Sequence, residues 1–239
     1  GLLAMVTWVV YAADRWMEGL EIDPDRVCTQ RHRFYQRHRR PVAALCAGMT
    51  TAGTALAMTH LTRAEWKAGL SLAAPVALYL VAGTPLRRIE AWRIPKELCI
   101  AVLFAAGTGC FPFVLAGPEA GRMVLPVTWF ALLCFVNLVL IARWETAVDV
   151  AHAQFSIALA HPALDRTLSA SPWLLAFLAA GAAFLDTGGP VAVTACVAVS
   201  ALLLGLLDRW QGRLGRQRAR AVVDATLLTP LVLLSIGWI

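Results

Sequence analysis

Four carboxylates in the sequence are spaced to act as two pairs. Asp14 and Glu18 stand at i and i+4 where the apolar run LLAMVTWVVYAA ends, and Glu145 and Asp149 repeat that spacing after LPVTWFALLCFVNLVLIA. On a helix, residues four apart share a face, so each pair presents two carboxylates in one direction. Each pair has an arginine beside it, Arg15 and Arg143. Carboxylate pairs on two facing helices suit Mg²⁺, a hard cation that takes oxygen ligands and completes its shell with water and substrate phosphate. Such an ion neutralises charge on a departing diphosphate. Asp14, Glu18, Glu145 and Asp149 are therefore the candidate catalytic and metal-ligating residues. Arg15, Arg93, Lys96 and Arg143 are the candidate phosphate contacts, and Arg87 and Arg88 read as headgroup contacts. Asn137, about two turns before Glu145, reads either as a cavity-lining substrate contact or as an interhelical hydrogen-bonding group. A single acid at a helix end is ordinarily solvated, but Asp14 lies one turn deeper and needs a polar surrounding.

The elements that must position these residues are apolar. The chain has 239 residues, of which 59% are hydrophobic and only 15% charged, where a soluble domain carries about 25%. The apolar content comes in blocks of roughly 16 to 22 residues, the span of a bilayer core. Eight helices are expected, over 1–20, 41–60, 67–84, 96–115, 122–146, 171–186, 190–208 and 219–238. The fold class is all-α, a polytopic transmembrane bundle forming one domain over 1–239. Pro41, Pro95, Pro172 and Pro190 are expected at helix starts, where a missing N–H costs nothing. Gly117-Pro118 and Gly188-Gly189-Pro190 mark turns.

Connections alternate in character. Residues 21–40, 85–95, 147–170 and 209–218 are long or basic, whereas 61–66, 116–121 and 187–189 are short. Of the 21 Lys and Arg residues, only Arg63, Lys67 and Arg122 fall on the side of the short connections. This asymmetry puts the long basic loops in the cytoplasm, as in a bacterial inner membrane, with both carboxylate pairs at the cytoplasmic helix ends. The net charge of +6 is read as this bias and as attraction to anionic headgroups, so the expected partner is the lipid bilayer and not nucleic acid. The six cysteines form no C-x-x-C pair and read as buried free thiols. No signal peptide is recognisable, and the chain opens inside an apolar run. Matching broken segments in the two halves are not evident, which argues against an inverted-repeat transporter.

The layout resembles the UbiA superfamily of intramembrane prenyltransferases. That family has nine transmembrane helices around a lipid-open cavity, with N-D-x-x-D-x-x-x-D at the cytoplasmic end of its second helix and a D-x-x-x-D core ending its sixth. VYAADRWME (10–18) is similar to the first motif, with Asp14 in the place of its second Asp and Glu18 in that of its last. Val10 and Tyr11 stand where Asn and the first Asp are expected. ETAVD (145–149) takes the D-x-x-x-D place. RIPKELCIAVLFAAGTG (93–109) resembles the lysine-led entry of a later family helix, and RHRFYQRHRR sits where the family has an Arg-containing loop. The resemblance implies a ninth helix upstream of residue 1. It also implies transfer of an isoprenyl group from an isoprenyl diphosphate to an aromatic or quinone-like acceptor, with Mg²⁺ held by Asp14, Glu18, Glu145 and Asp149. The alternative is a non-catalytic UbiA-like membrane subunit that binds a lipid, quinone or pigment, or packs in a larger complex.

Three further expectations concern polar residues. Asp224 is expected to pair with Arg220, four residues before it. His152 and Gln154 read as solvated or headgroup-facing loop residues. His32 and His38 belong to a charged loop without metal spacing.

Overall fold

The computed structural model describes residues 1–22, 29–86, 95–152, 154–185 and 191–230. Arg87, Arg88, Arg93, Cys28 and Pro190 lie outside them. The described residues form eleven α-helices: α1 (Leu2–Glu21), α2 (Gln30–Arg37), α3 (Arg39–His60), α4 (Arg63–Leu86), α5 (Lys96–Ala116), α6 (Gly121–Trp144), α7 (Thr146–Ala151), α8 (Ile157–Ala160), α9 (Asp165–Phe184), α10 (Val191–Leu214) and α11 (Arg216–Ala225). Among the described residues, five spans are long and apolar enough to cross a membrane: Arg39–His60, Lys96–Glu119, Gly121–Trp144, Pro162–Phe184 and Val191–Leu214.

The outside of the bundle is as apolar as a hydrocarbon solvent demands. Met58, Leu70, Val81, Phe177 and Phe184 are all exposed, which in water would invite association and in lipid is the ordinary condition. Backbone groups are satisfied within the helices, as a bilayer requires. The best-packed core lies between α6, α9, α10 and α11, where Leu133, Leu140, Leu175, Ala179, Ala201, Leu204 and Val223 meet. Small residues let these helices approach closely. Gly205 on α10 lies under the Trp173 ring of α9, and a Cβ added there would stand 2.6 Å from a ring carbon. α1 packs against α3 and α4, α4 against α5, and α5 against α6, and the C-terminal part of α1, the N-terminus of α5 and the end of α6 meet at one cavity.

Several boundaries differ from those expected. Residues 30–37, read as part of a charged loop, form α2, whose first turn is capped by the Thr29 hydroxyl accepting from the His32 N–H. A hydroxyl N-cap followed by a helical turn outweighs the low hydrophobicity of QRHRFYQR. The fifth expected helix, 122–146, stops at Trp144 instead. Glu145 leaves helical geometry at φ −103°, ψ 10°, and α7 restarts at Thr146. The Val148 and Asp149 N–H groups still donate to the Glu145 carbonyl at 2.8 and 2.9 Å, so one turn separates the second pair although a break falls within it. α9 starts at Asp165 and not at 171, so Pro172 lies inside the helix and buried rather than at its start. The last expected helix begins as α11 after Gly215, whose φ of 76° favours glycine, and passes into a 3₁₀ turn at Thr226–Leu228. Its continuation beyond 230 lies outside the described residues.

Candidate functional site

The C-terminal turns of α1 place three charged residues together. Arg15 forms ion pairs with both Asp14 and Glu18, so the first carboxylate pair grips the arginine that lies between its members in sequence. Glu18 is 2% exposed and also faces the Nε2 of His32 at 3.4 Å. His32 is buried, bonded through Nδ1 to the Thr29 hydroxyl, and meets His152 edge-on with ring centroids 4.7 Å apart. α2 is thereby docked onto α1 on one side and onto the α7 end on the other. Gln36 donates to the Ile22 carbonyl at 2.8 Å and Trp16 donates to the Arg39 carbonyl at 3.1 Å, fixing the α1–α2–α3 corner.

The second pair lies across a small cavity from this corner. Arg15, Arg31, His32, Tyr79, Lys96, Glu97, Glu145, Asp149, Gln154 and Arg220 supply its polar wall, and Ile100, Leu138 and Ile141 part of its apolar wall. Its volume is about 70 Å³. With a water's share of the liquid at about 30 Å³, that is room for roughly two waters. One nitrogen of Arg220, Nη1, spans both oxygens of Glu145, each at 2.8 Å. Arg31 comes within 3.9 Å of the same carboxylate, and its Nε–H is buried without a hydrogen-bond partner. Burial, together with the Arg220 and Arg15 cations, lowers the Arg31 pKa below its ordinary value, so this guanidinium lies in a field short of negative charge. Lys96 stands 4.0 Å from Asp149. Asp149 is 6% exposed, and burial raises its carboxyl above the usual carboxylate range. Glu97, beside Lys96 in the first turn of α5, is equally enclosed: its Oε1 accepts from the Ile157 N–H at 3.4 Å and its Oε2 has no partner.

No family model, curated protein or solved structure matches the chain. The placement of each residue therefore rests on the geometry alone.

Of the expected site residues, Arg15, Lys96, Glu145 and Asp149 line one cavity, with Glu18 buried directly behind it against His32. Asp14 is drawn to Arg15. Arg143 is not brought in: its guanidinium turns away, binding Asp208 at 2.9 and 3.0 Å and Asp165 at 2.8 Å. Asn137 does not line the cavity either; it donates to Asp224 at 3.3 Å. The expected Arg220–Asp224 pair gives way to Arg220–Glu145, because the break at Glu145 turns that carboxylate toward α11. Arg93 lies outside the described residues. His152, expected in a solvated loop, is buried.

Arg31, His32, Glu97 and Arg220 went unrecognised as individual site residues in the sequence. Arg31 and His32 belong to the basic stretch RHRFYQRHRR, whose composition reads equally as headgroup contact. Glu97 carried a usable signal, since an acid next to Lys96 opens an apolar helix. Arg220 carried none, because its partner lies 75 residues away.

Proposed function

We propose that this cavity takes the diphosphate of an isoprenyl diphosphate, and that the chain is a UbiA-like membrane prenyltransferase whose basic end faces the cytoplasm. The observation that carries the reading is Arg31: a half-buried guanidinium whose Nε–H is buried and, among the described residues, unpartnered, crowded by Arg15 and Arg220. Its nearest carboxylate is already spanned by Arg220. A dianionic or trianionic group at this point would satisfy the free donor and relieve the crowding, and guanidinium forks match phosphate oxygens. The apolar bundle and the Ile100–Leu138–Ile141 wall suit an isoprenyl chain.

In this reading Arg15, Arg31, Arg220 and Lys96 hold the diphosphate. As the bond from C1 to the bridging oxygen breaks, its electron pair passes to the diphosphate and these cations stabilise the growing charge. The allylic cation left behind is shielded by the apolar wall until an acceptor captures it. The donor set also fits Mg²⁺. Asp149 lines the cavity 4.0 Å from Lys96, Glu145 lines it opposite Arg220, and the space admits waters of the kind such an ion retains. Bound there, Mg²⁺ would supply further neutralisation of the leaving group. Asp14 and Glu18, contrary to the simplest reading of their spacing, act in this proposal by orienting Arg15.

The test is turnover of geranyl, farnesyl and geranylgeranyl diphosphate by the purified full chain with Mg²⁺, following diphosphate release. Arg31→Ala and Asp149→Ala are expected to abolish most of it. Absence of release from all three substrates with the wild-type protein would sink the reading.

The cavity's size, about 70 Å³, suits waters better than a diphosphate and favours a second reading, in which the bundle is a non-catalytic subunit that packs in a larger membrane complex. Failure of the purified chain to bind diphosphate would favour it.

A further inference from the structure

We infer that Glu97 is the base that receives the acceptor's proton and, because its open oxygen calls for a hydrogen-bond donor, that the acceptor presents an O–H or N–H to it, as a phenol, alcohol or amine does. The inference rests on the prenyltransferase reading above and adds to it the class of the second substrate.

Three observations lead here. Glu97 is 2% exposed, so it is withdrawn from bulk water. One of its oxygens is tied to the Ile157 N–H, which fixes the carboxylate, while the other has no partner. The residue forms part of the cavity wall together with Tyr79 and Ile100. A buried carboxylate oxygen left without a donor is costly, and natural structures keep such groups where a ligand or a reaction uses them. Glu97 enters the cavity from α5 together with Lys96, whereas Arg15, Arg31 and Arg220 enter from α1, α2 and α11. Lys96, 4.0 Å from Asp149, thus puts a diphosphate contact next to the proposed base in sequence. The other carboxylates at or behind the cavity face cations: Glu18 faces Arg15, Glu145 faces Arg220 and Asp149 faces Lys96. Among the described residues, Glu97 is the one whose carboxylate has a buried oxygen with no partner.

The step balances simply. A lone pair on the acceptor's oxygen or nitrogen forms the bond to C1 of the isoprenyl group. The C1–O bond to the diphosphate breaks with its electron pair on the leaving group. The proton that the acceptor loses moves to Glu97 Oε2, giving a neutral carboxylic acid that later returns the proton to water.

The experiment uses bacterial membranes carrying the full chain, farnesyl diphosphate labelled in its chain, and 4-hydroxybenzyl alcohol as a probe acceptor with both phenol and alcohol hydroxyls. Diphosphate release and the division of label between adduct and farnesol are measured for the wild type, Glu97→Gln and Glu97→Asp. The expected result is that Glu97→Gln lowers adduct formation by about 100-fold, lowers diphosphate release far less, and diverts label to farnesol. Glu97→Asp, which keeps a carboxylate, recovers part of the adduct and preserves the comparison if the Gln variant does not fold. Unchanged adduct in Glu97→Gln, equal loss of release and adduct, or farnesol as the sole wild-type product would each overturn the inference while leaving the diphosphate site standing. No diphosphate release by the wild type would instead overturn the reading on which it rests.

Discussion

Arg143 and Glu145 leave the same helix end two residues apart and enter two polar assemblies of opposite character. Arg143 belongs to a closed one. Asp208 on α10 accepts two bonds from Arg143, one from Trp144 Nε1 at 2.8 Å and one from the Ser169 hydroxyl at 2.7 Å. Both oxygens are used, and the group ties α6, α9 and α10 together. Glu145 belongs to an open assembly, in which Arg31 Nε and Glu97 Oε2 have no partner. A satisfied network holds helices, and an unsatisfied one beside a cavity has capacity left for a ligand. Arginine beside a carboxylate is the same motif in both, so residue type alone does not separate anchor from site.

The largest effect is expected at the closed assembly. Asp208→Ala leaves Arg143 without its main partner and orphans Trp144 and Ser169. It should destabilise the protein by about 3–5 kcal/mol, read as a fall in thermal unfolding temperature in detergent. A fall no larger than that of an exposed pair would erase the distinction between the two assemblies. Arg31→Ala should do the reverse, leaving the unfolding temperature nearly unchanged while weakening inorganic diphosphate binding by roughly 10- to 100-fold, in line with about 1.5–3 kcal/mol for hydrogen bonds to charged groups. Calorimetric titration checks it, and equal affinity in variant and wild type would show that the open donor is not used. Gly205→Ala probes the packing that supports the closed side. The added methyl meets the Trp173 ring, so a loss of about 1–3 kcal/mol is expected with diphosphate binding retained.

The smallest effect is in pH dependence. Burial, and then the His32 neighbour, hold the His152 imidazole below its ordinary pKa. The unfolded chain therefore takes up this proton at higher pH than the folded one. Stability contributed by His152 is full above the unfolded value of about 6.5 and falls as pH drops through it toward the lower folded value. His152→Gln should flatten that fall in unfolding temperature between pH 7 and pH 5, by the equivalent of less than about 1 kcal/mol. An unchanged slope would assign the acid sensitivity elsewhere.

Much of the architecture was legible because a bilayer leaves few options. Apolar blocks with Pro and Gly punctuation match helices in the described part of each expected region, and five spans among the described residues are long and apolar enough to cross a membrane. The candidate site was legible in part. Arg15, Lys96, Glu145 and Asp149 were found because charges ending apolar helices are rare and so stand out. α2 was missed because its stability comes from the Thr29 cap and from docking against Glu18 and Ile22, not from an apolar stripe. Arg143 reads as a site residue from its place beside Glu145 in sequence, but residues two apart on a helix point to nearly opposite faces, and its guanidinium goes to Asp165 and Asp208.

Sequence by itself determined the solvent: so much apolar length cannot be buried in a chain of this size, and only lipid-facing helices satisfy both side chains and backbone. It also placed charge at the ends of apolar helices, Asp14, Arg15 and Glu18 after the first and Arg143, Glu145 and Asp149 after the fifth. The tertiary structure decided which charges meet. Glu145 reaches across 75 residues to Arg220, and Glu97 is left with an open oxygen. Pairing among long-range charges depends on helix rotation and on breaks of a single residue. At 3.6 residues per turn, each residue of offset turns a side chain by about 100°, a change that composition and spacing do not encode.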